Sequence, residues 1–183
     1  MGRKDLTYAV QKLNNEKRGN TMITVSEAIV KMTDRCQGDQ YDICHFLKVW
    51  AYARTIGEME NLDSAAQQVL EFAAIVHDIA CPALRKEYGN APHDLQEKCG
   101  PPLVREFYKN SGMGEGMLER ICYLVGHHHT YNGADGPDYQ ILLEADFLVN
   151  AGEQEKYRKV TDRFRENVFR TKTGTAMLDS MFG

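Results

Sequence analysis

The sequence predicts an all-α fold, a single-domain helical bundle, on three observations. Apolar residues recur at helical spacing along the chain, sustained period-2 alternation is missing, and the helical stretches end at capping residues or at Gly and Pro. Asn132-Gly133 is a hairpin-type dipeptide, but it lies in a loop without β-branched runs on either side.

The elements follow in order. Thr24 and Glu27 have capping-box spacing, Val25, Ile29 and Met32 give the apolar stripe behind them, and Gly38 is the stop. Tyr41 to Ile56 carries Phe46, Val49, Trp50, Ala53 and Ile56 on one face, with Gly57 as the expected C-terminal cap. Asp63 caps a helix from Ser64 to about Ala80, where Pro82 disfavours helical geometry at Cys81, so His77 and Asp78 fall in its last turn. From Pro82 to Pro102 the breakers Gly89, Pro92 and Gly100 predict short pieces, with Pro101 or Pro102 starting a helix through Val104 and Phe107 that ends near Ser111-Gly112. Leu118, Ile121, Val125 and His128 share a face, a loop runs from Thr130 to Pro137, and a helix from Tyr139 to about Ala151 places Tyr139, Leu142, Leu143 and Asp146 on one stripe. A polar amphipathic tail, 153–169, and a short segment near 176–182 close the chain. The expected domain spans residues 1–183, with its core at about 22–152 and peripheral helices at both ends.

Composition narrows the function. With 22 basic against 26 acidic residues and a formal charge of -4, there is no basic field for duplex nucleic acid. No apolar stretch reaches the ~18 to 20 residues of a membrane span, and Met1 to Leu6 lacks a secretory apolar core and a myristoylation signal. The five cysteines are odd in number, scattered and without a Cys-x-x-Cys pair, so they read as reduced thiols of a cytoplasmic protein.

Against that background a few polar groups stand out by lying on or beside apolar stripes. His77 and Asp78 end the run Phe72-Ala-Ala-Ile-Val-His-Asp-Ile-Ala80, His45 lies beside the Phe46/Val49 face, Asp146 sits between Ala145 and Phe147, and three histidines run from His127 to His129. Burying a lone carboxylate costs several kcal/mol unless a positive partner balances it, and imidazole beside carboxylate offers lone pairs to a metal ion. His129 is read as loop or rim.

In their order and contexts, Ala-Ala-Ile-Val-His-Asp-Ile-Ala and Leu-Leu-Glu-Ala-Asp-Phe-Leu-Val, the residues His45, His77-Asp78 and Asp146 resemble the His, His-Asp, Asp pattern of the HD superfamily of metal-dependent phosphohydrolases. The resemblance implies an HD-type helical core holding a divalent metal on His45, His77, Asp78 and Asp146. Iron, manganese, zinc, cobalt or nickel suits such ligands, and magnesium is admissible. It also implies hydrolysis of a small phosphorylated substrate, a nucleotide or related ester, with Asp78 orienting or deprotonating a metal-activated water. Histidines between the His-Asp pair and the last Asp resemble the branch with two ions: His93, with His128 favoured by the helical stripe and His127 by alignment with the His-His of cyclic-dinucleotide phosphodiesterases of HD-GYP type. Gly133-Ala-Asp-Gly-Pro137 stands where that group has Gly-Tyr-Pro, so a cyclic dinucleotide is not implied. Lys48, Arg54 and Lys98, with Arg85 or Lys86, are the candidate phosphate-holding cations; many relatives have Lys soon after the His-Asp pair, where this chain has Cys81-Pro82. Two other readings of the same residues are a di-iron oxygenase and a non-catalytic metal-containing ligand sensor. The oligomeric state is left open, a homodimer included.

Overall fold

The computed structural model describes residues 21–183, and they contain helices and no strand. The expected peripheral N-terminal segment lies outside the described residues.

Helix α1, Val25–Arg35, begins with the expected capping box: the Glu27 backbone N–H donates to Thr24 Oγ1 at 3.3 Å, and the Thr24 backbone N–H donates to Glu27 Oε2 at 2.8 Å. Helix α2, Gln40–Met59, is capped by Asp39, which accepts from the backbone of Tyr41 and Asp42. It does not stop at Gly57. Gly57 is buried inside it, because a Cβ there would lie 2.1 Å from Gln67 Oε1 on the next helix. The Gln67 amide of the next helix lies over this glycine, so here it accommodates a neighbouring side chain rather than ending the helix.

Asp63 caps α3, Ser64–Val76, as expected, but the helix ends before the His-Asp pair. The chain tightens there: Ile79 N–H bonds to the Val76 carbonyl at 3.0 Å, and Cys81 N–H to the Asp78 carbonyl at 2.9 Å. His77 and Asp78 therefore occupy a turn rather than a last helical turn. Pro82 then sits in the opening turn of α4, Cys81–Tyr88, where its missing N–H costs nothing, and Gly89 ends that helix at φ 77.

The expected broken stretch is a second continuous helix, α5, His93–Phe107, with Pro101 and Pro102 inside it rather than at its start. Tertiary packing overrides the two missing donors. A Cβ on Gly100 would lie 2.7 Å from Val125, and one on Gly126 3.1 Å from Pro101, so these glycines let α5 press onto α6, Glu115–Val125. Cys122 Sγ donates to the Pro101 carbonyl at 3.6 Å across the same contact.

Helix α7, Pro137–Glu153, is almost wholly buried from Tyr139 to Ala151 and packs on α2, α3 and α10 (Lys172–Phe182). The polar tail forms α8, Glu155–Arg158, and α9, Thr161–Asn167. The core runs through Phe72, Ile75, Leu142 and Phe147, and each such side chain contributes about 1.5–3 kcal/mol of burial. The loop between α6 and α7 is tied at both ends. Tyr139 Oη donates toward the carbonyls of His127 and Thr130, at 2.6 and 2.9 Å, and Arg120 binds the carboxylates of Asp135 and Asp138 at 2.7–2.9 Å. No helix among the described residues is long and apolar enough to cross a membrane.

Candidate metal centre

Three elements bring the first group together. His45 comes from the middle of α2, His77 from the end of α3, and Asp146 from the middle of α7; all three are buried. Their ligand atoms lie within 4.8 Å of one another. His45 Nε2 is 3.2 Å from His77 Nε2, and Asp146 Oδ1 lies 3.5 Å from the former and 3.4 Å from the latter.

The outer nitrogens fix which lone pairs face inward. His77 Nδ1 lies 2.8 Å from the Ala74 carbonyl and His45 Nδ1 2.9 Å from Glu153 Oε2; both partners accept, so both Nδ1 atoms carry hydrogen. The two Nε2 atoms then face each other and a carboxylate, an arrangement that calls for a shared proton or a metal ion between them. Histidines holding a metal are commonly braced in this way. Burial opposes a charge on His45, but hydrogen bonds to Asp146 and Glu153 and the nearby Asp78 outweigh it and push this imidazole up to about 10. Burial also works against a charged Asp146, and the His45 and His77 imidazoles overcome it, holding the carboxyl well below its usual range. Asn150 donates to Asp146 Oδ1 at 2.8 Å.

A second group consists of Asp78, His128 and His129, again with ligand atoms within 4.8 Å. His128 is fully buried; its Nδ1 is 2.7 Å from the Val125 carbonyl, and its Nε2 is 3.3 Å from Asp78 Oδ1. Asp78 joins the groups, since its other oxygen, Oδ2, is 3.5 Å from His45 Nε2 and 3.8 Å from His77 Nε2. Burial would raise this carboxyl, yet His77, His128 and His45 hold it well below the usual range. Carboxylate and imidazole donors at these separations fit one or two divalent ions.

Of the two alternatives in the histidine run, His128 faces inward. His127 turns away: its Nδ1 lies 2.7 Å from the Tyr123 carbonyl and its ring stacks on Tyr123. His129 is not rim. It belongs to the second group, and burial together with the neighbouring His128 pushes it down to about 2. His93, the first residue of α5, is outside both groups; it stacks on His129 at 3.7 Å, and its Nε2 lies 3.1 Å from Tyr157 Oη.

A cleft of about 280 Å³ opens on His45, Asp78 and His129 and is also lined by Tyr41, Arg85, His93, Lys156 and Tyr157. A larger groove of about 720 Å³, by Lys31, Arg35 and Lys86, contains none of the candidate ligands. Arg54 and Lys98 do not line the cleft: Arg54 pairs with Glu58 at 2.9 Å along its own helix, and Lys98 is exposed on α5. Lys48 pairs with Glu153, the carboxylate that braces His45. Cys81 lines the cleft, and burial and Asp78 keep its thiol protonated.

The family model for the HD domain matches residues 42–164, a span that begins beside His45 and runs past Asp146. The chain belongs to the HD domain family. No curated protein and no solved structure matches it. HD domains are of the metal-dependent phosphohydrolase type, and the convergent His and Asp groups of this HD domain are of the kind that binds a divalent metal. Glu153 was missed from sequence, although its spacing carried a signal: Asp146, Asn150 and Glu153 fall at i, i+4 and i+7 on α7 and continue one polar stripe.

Proposed function

We propose that this HD domain hydrolyses a small phosphorylated substrate, a nucleotide or related phosphate ester, at a centre of two divalent ions in a cytoplasmic single-domain protein. One observation carries the reading: the two oxygens of Asp78 face different ligand groups, His45 and His77 on one side and His128 on the other. A carboxylate so placed can be shared by two cations, whose charges it helps to offset.

Divalent ions supply Lewis acidity toward a phosphoryl oxygen and bring the pKa of a bound water from ~15.7 toward ~7. His45, His77 and Asp146 form the deep anchor, while Asp78 both ligates and orients the attacking water for displacement at phosphorus. Two cations face the cleft. Arg85 is already paired with Asp42 at 2.6 Å, whereas Lys156 has no carboxylate partner among the described residues, so Lys156 is the cation open to a substrate phosphate. Tyr41 and Tyr157 bound the cleft, and its volume suits a compact ester rather than a polymer.

The test is a panel of nucleotides and phosphate esters assayed with metal-reconstituted protein and with its Asp78→Ala variant. Phosphate release that requires both metal and Asp78 is expected. Absence of release from every ester by protein with full metal content would overturn the hydrolytic reading, and oxygen-dependent turnover by the iron-loaded protein would replace it.

A further inference from the structure

Four histidines meet the two ligand groups, and three are held alike. His45, His77 and His128 each give Nδ1–H to an acceptor and turn Nε2 inward. His129 is held the other way round. Its Nε2 lies 2.9 Å from Gln96 Oε1, while its Nδ1 is buried with no hydrogen-bond partner among the described residues. A buried nitrogen left unpaired costs about 1–3 kcal/mol unless something binds it.

The polarity of this contact is set one residue further out. Gln96 is itself buried, and its Nε2 donates to the Ala91 carbonyl at 2.6 Å. A carbonyl only accepts, so the amide nitrogen must face Ala91 and the amide oxygen must face His129. That oxygen accepts in turn, so the hydrogen of a neutral His129 sits on Nε2 and the lone pair on Nδ1. The neighbouring Glu97 fixes the backbone of the same turn, accepting from His129 N–H at 2.9 Å and Thr130 Oγ1 at 3.0 Å. His93 covers the ring, nearly parallel to it at 13°. All three restraints come from α5, which reaches the turn because Gly100 and Gly126 allow the close helix crossing.

We propose that Gln96 is a positioning residue: it selects the His129 tautomer whose Nδ1 ligates the second ion, beside Asp78 and His128. This inference rests on the two-ion reading above. It gives α5, which carries no ligand, control over occupancy of the outer position, and it leaves the inner position of His45, His77 and Asp146 untouched.

Zinc titration of the full chain and of Gln96→Met, together with long-range proton–nitrogen correlation of the imidazoles, tests it. In unmodified protein, His129 should carry hydrogen on Nε2 and none on Nδ1, whereas Nδ1 of His45, His77 and His128 should each carry one. Gln96→Met should weaken the second zinc by about 10–100-fold and leave the first within about twofold, as loss of an outer hydrogen-bond partner does. A second zinc bound equally tightly by the variant, or a His129 hydrogen on Nδ1 in unmodified protein, would overturn the proposal. The two readings fail separately. If unmodified protein saturates at one zinc, the two-ion reading falls and takes the ligand role of His129 with it. Nitrogen shifts of the unmodified, metal-free protein need no variant, so they still decide whether Gln96 sets the tautomer.

Discussion

The two ligand groups are built on different kinds of backbone. His45 and Asp146 project from the buried faces of long helices, and His77 closes the end of a third. Asp78, His128 and His129 sit in turns beyond the ends of α3 and α6, where backbone hydrogen bonds are few and outside restraints hold the side chains. The inner position is therefore determined by the core itself. The outer position depends on contacts made for its sake, from Gln96, Glu97 and Tyr139. A site assembled this way is expected to fill in sequence, tightly at the helices and more weakly at the turns.

Removing Asp78 should erase the distinction, since it touches both groups. Asp78→Ala is expected to lose both ions and to fall to the background rate of hydrolysis. Each ion present at 100 times its dissociation constant stabilises a fold by about 2.7 kcal/mol, a rise of roughly 5–10 °C in Tm per ion for a domain of this size. Calorimetry with and without metal should show that rise in unmodified protein and none in Asp78→Ala. An equal rise in both would contradict the shared-ligand role.

His128→Ala should separate the positions. We expect metal analysis to find one ion per chain in that variant, against two in unmodified protein and two in His127→Ala, whose ring faces Tyr123 instead. The same count in all three would collapse the comparison to a single position.

Glu153→Gln sharpens the inner half. Its carboxylate braces His45 and pairs with Lys48, so the substitution should weaken the first ion by about 10–100-fold while leaving the fold intact. Isothermal titration reads this directly, and an unchanged constant would reduce Glu153 to a surface partner of Lys48. The smallest effect concerns substrate. Lys156→Ala should raise KM by about five- to tenfold with kcat and metal content unchanged, whereas Arg54→Ala and Lys98→Ala should stay within about twofold. A larger KM change in Arg54→Ala than in Lys156→Ala would show the cations to be wrongly assigned.

The inner group was legible in the sequence and much of the outer group was not, for the same reason that they differ in build. A polar residue on an apolar helical stripe announces itself through periodicity, as His45 and Asp146 do. A turn has no period, so His129 read only as loop or rim; it does lie in a turn, and its pairing with Gln96, more than thirty positions away, is what ties it to the site. The polar stripe of Asp146, Asn150 and Glu153 marks the face of α7 that Glu153 shares, but its partner His45 lies 108 positions away and is fixed only by the fold. The helical class, the capping box of Thr24 and Glu27 and the Asp63 cap were read from local chemistry that the fold leaves undisturbed. Gly57, Pro82 and Pro101-Pro102 were read as punctuation because their meaning here is tertiary: room for a neighbouring side chain, a helix start, and a helix held together by its neighbour.

The two ties on the α6–α7 loop have a consequence for how this protein tolerates change. Tyr139 fastens the carbonyls of His127 and Thr130 to the helix that bears Asp146, and at the far end Arg120 grips Asp135 and Asp138. Between those fastenings, with Tyr131 packed on Phe164, the exposed residues 132–134 are mechanically insulated from the ligands on either side. Sequence drift, an inserted peptide or a fused reporter at that tip should leave the geometry a few residues away undisturbed, which makes the tip a natural place for the chain to acquire new attachments.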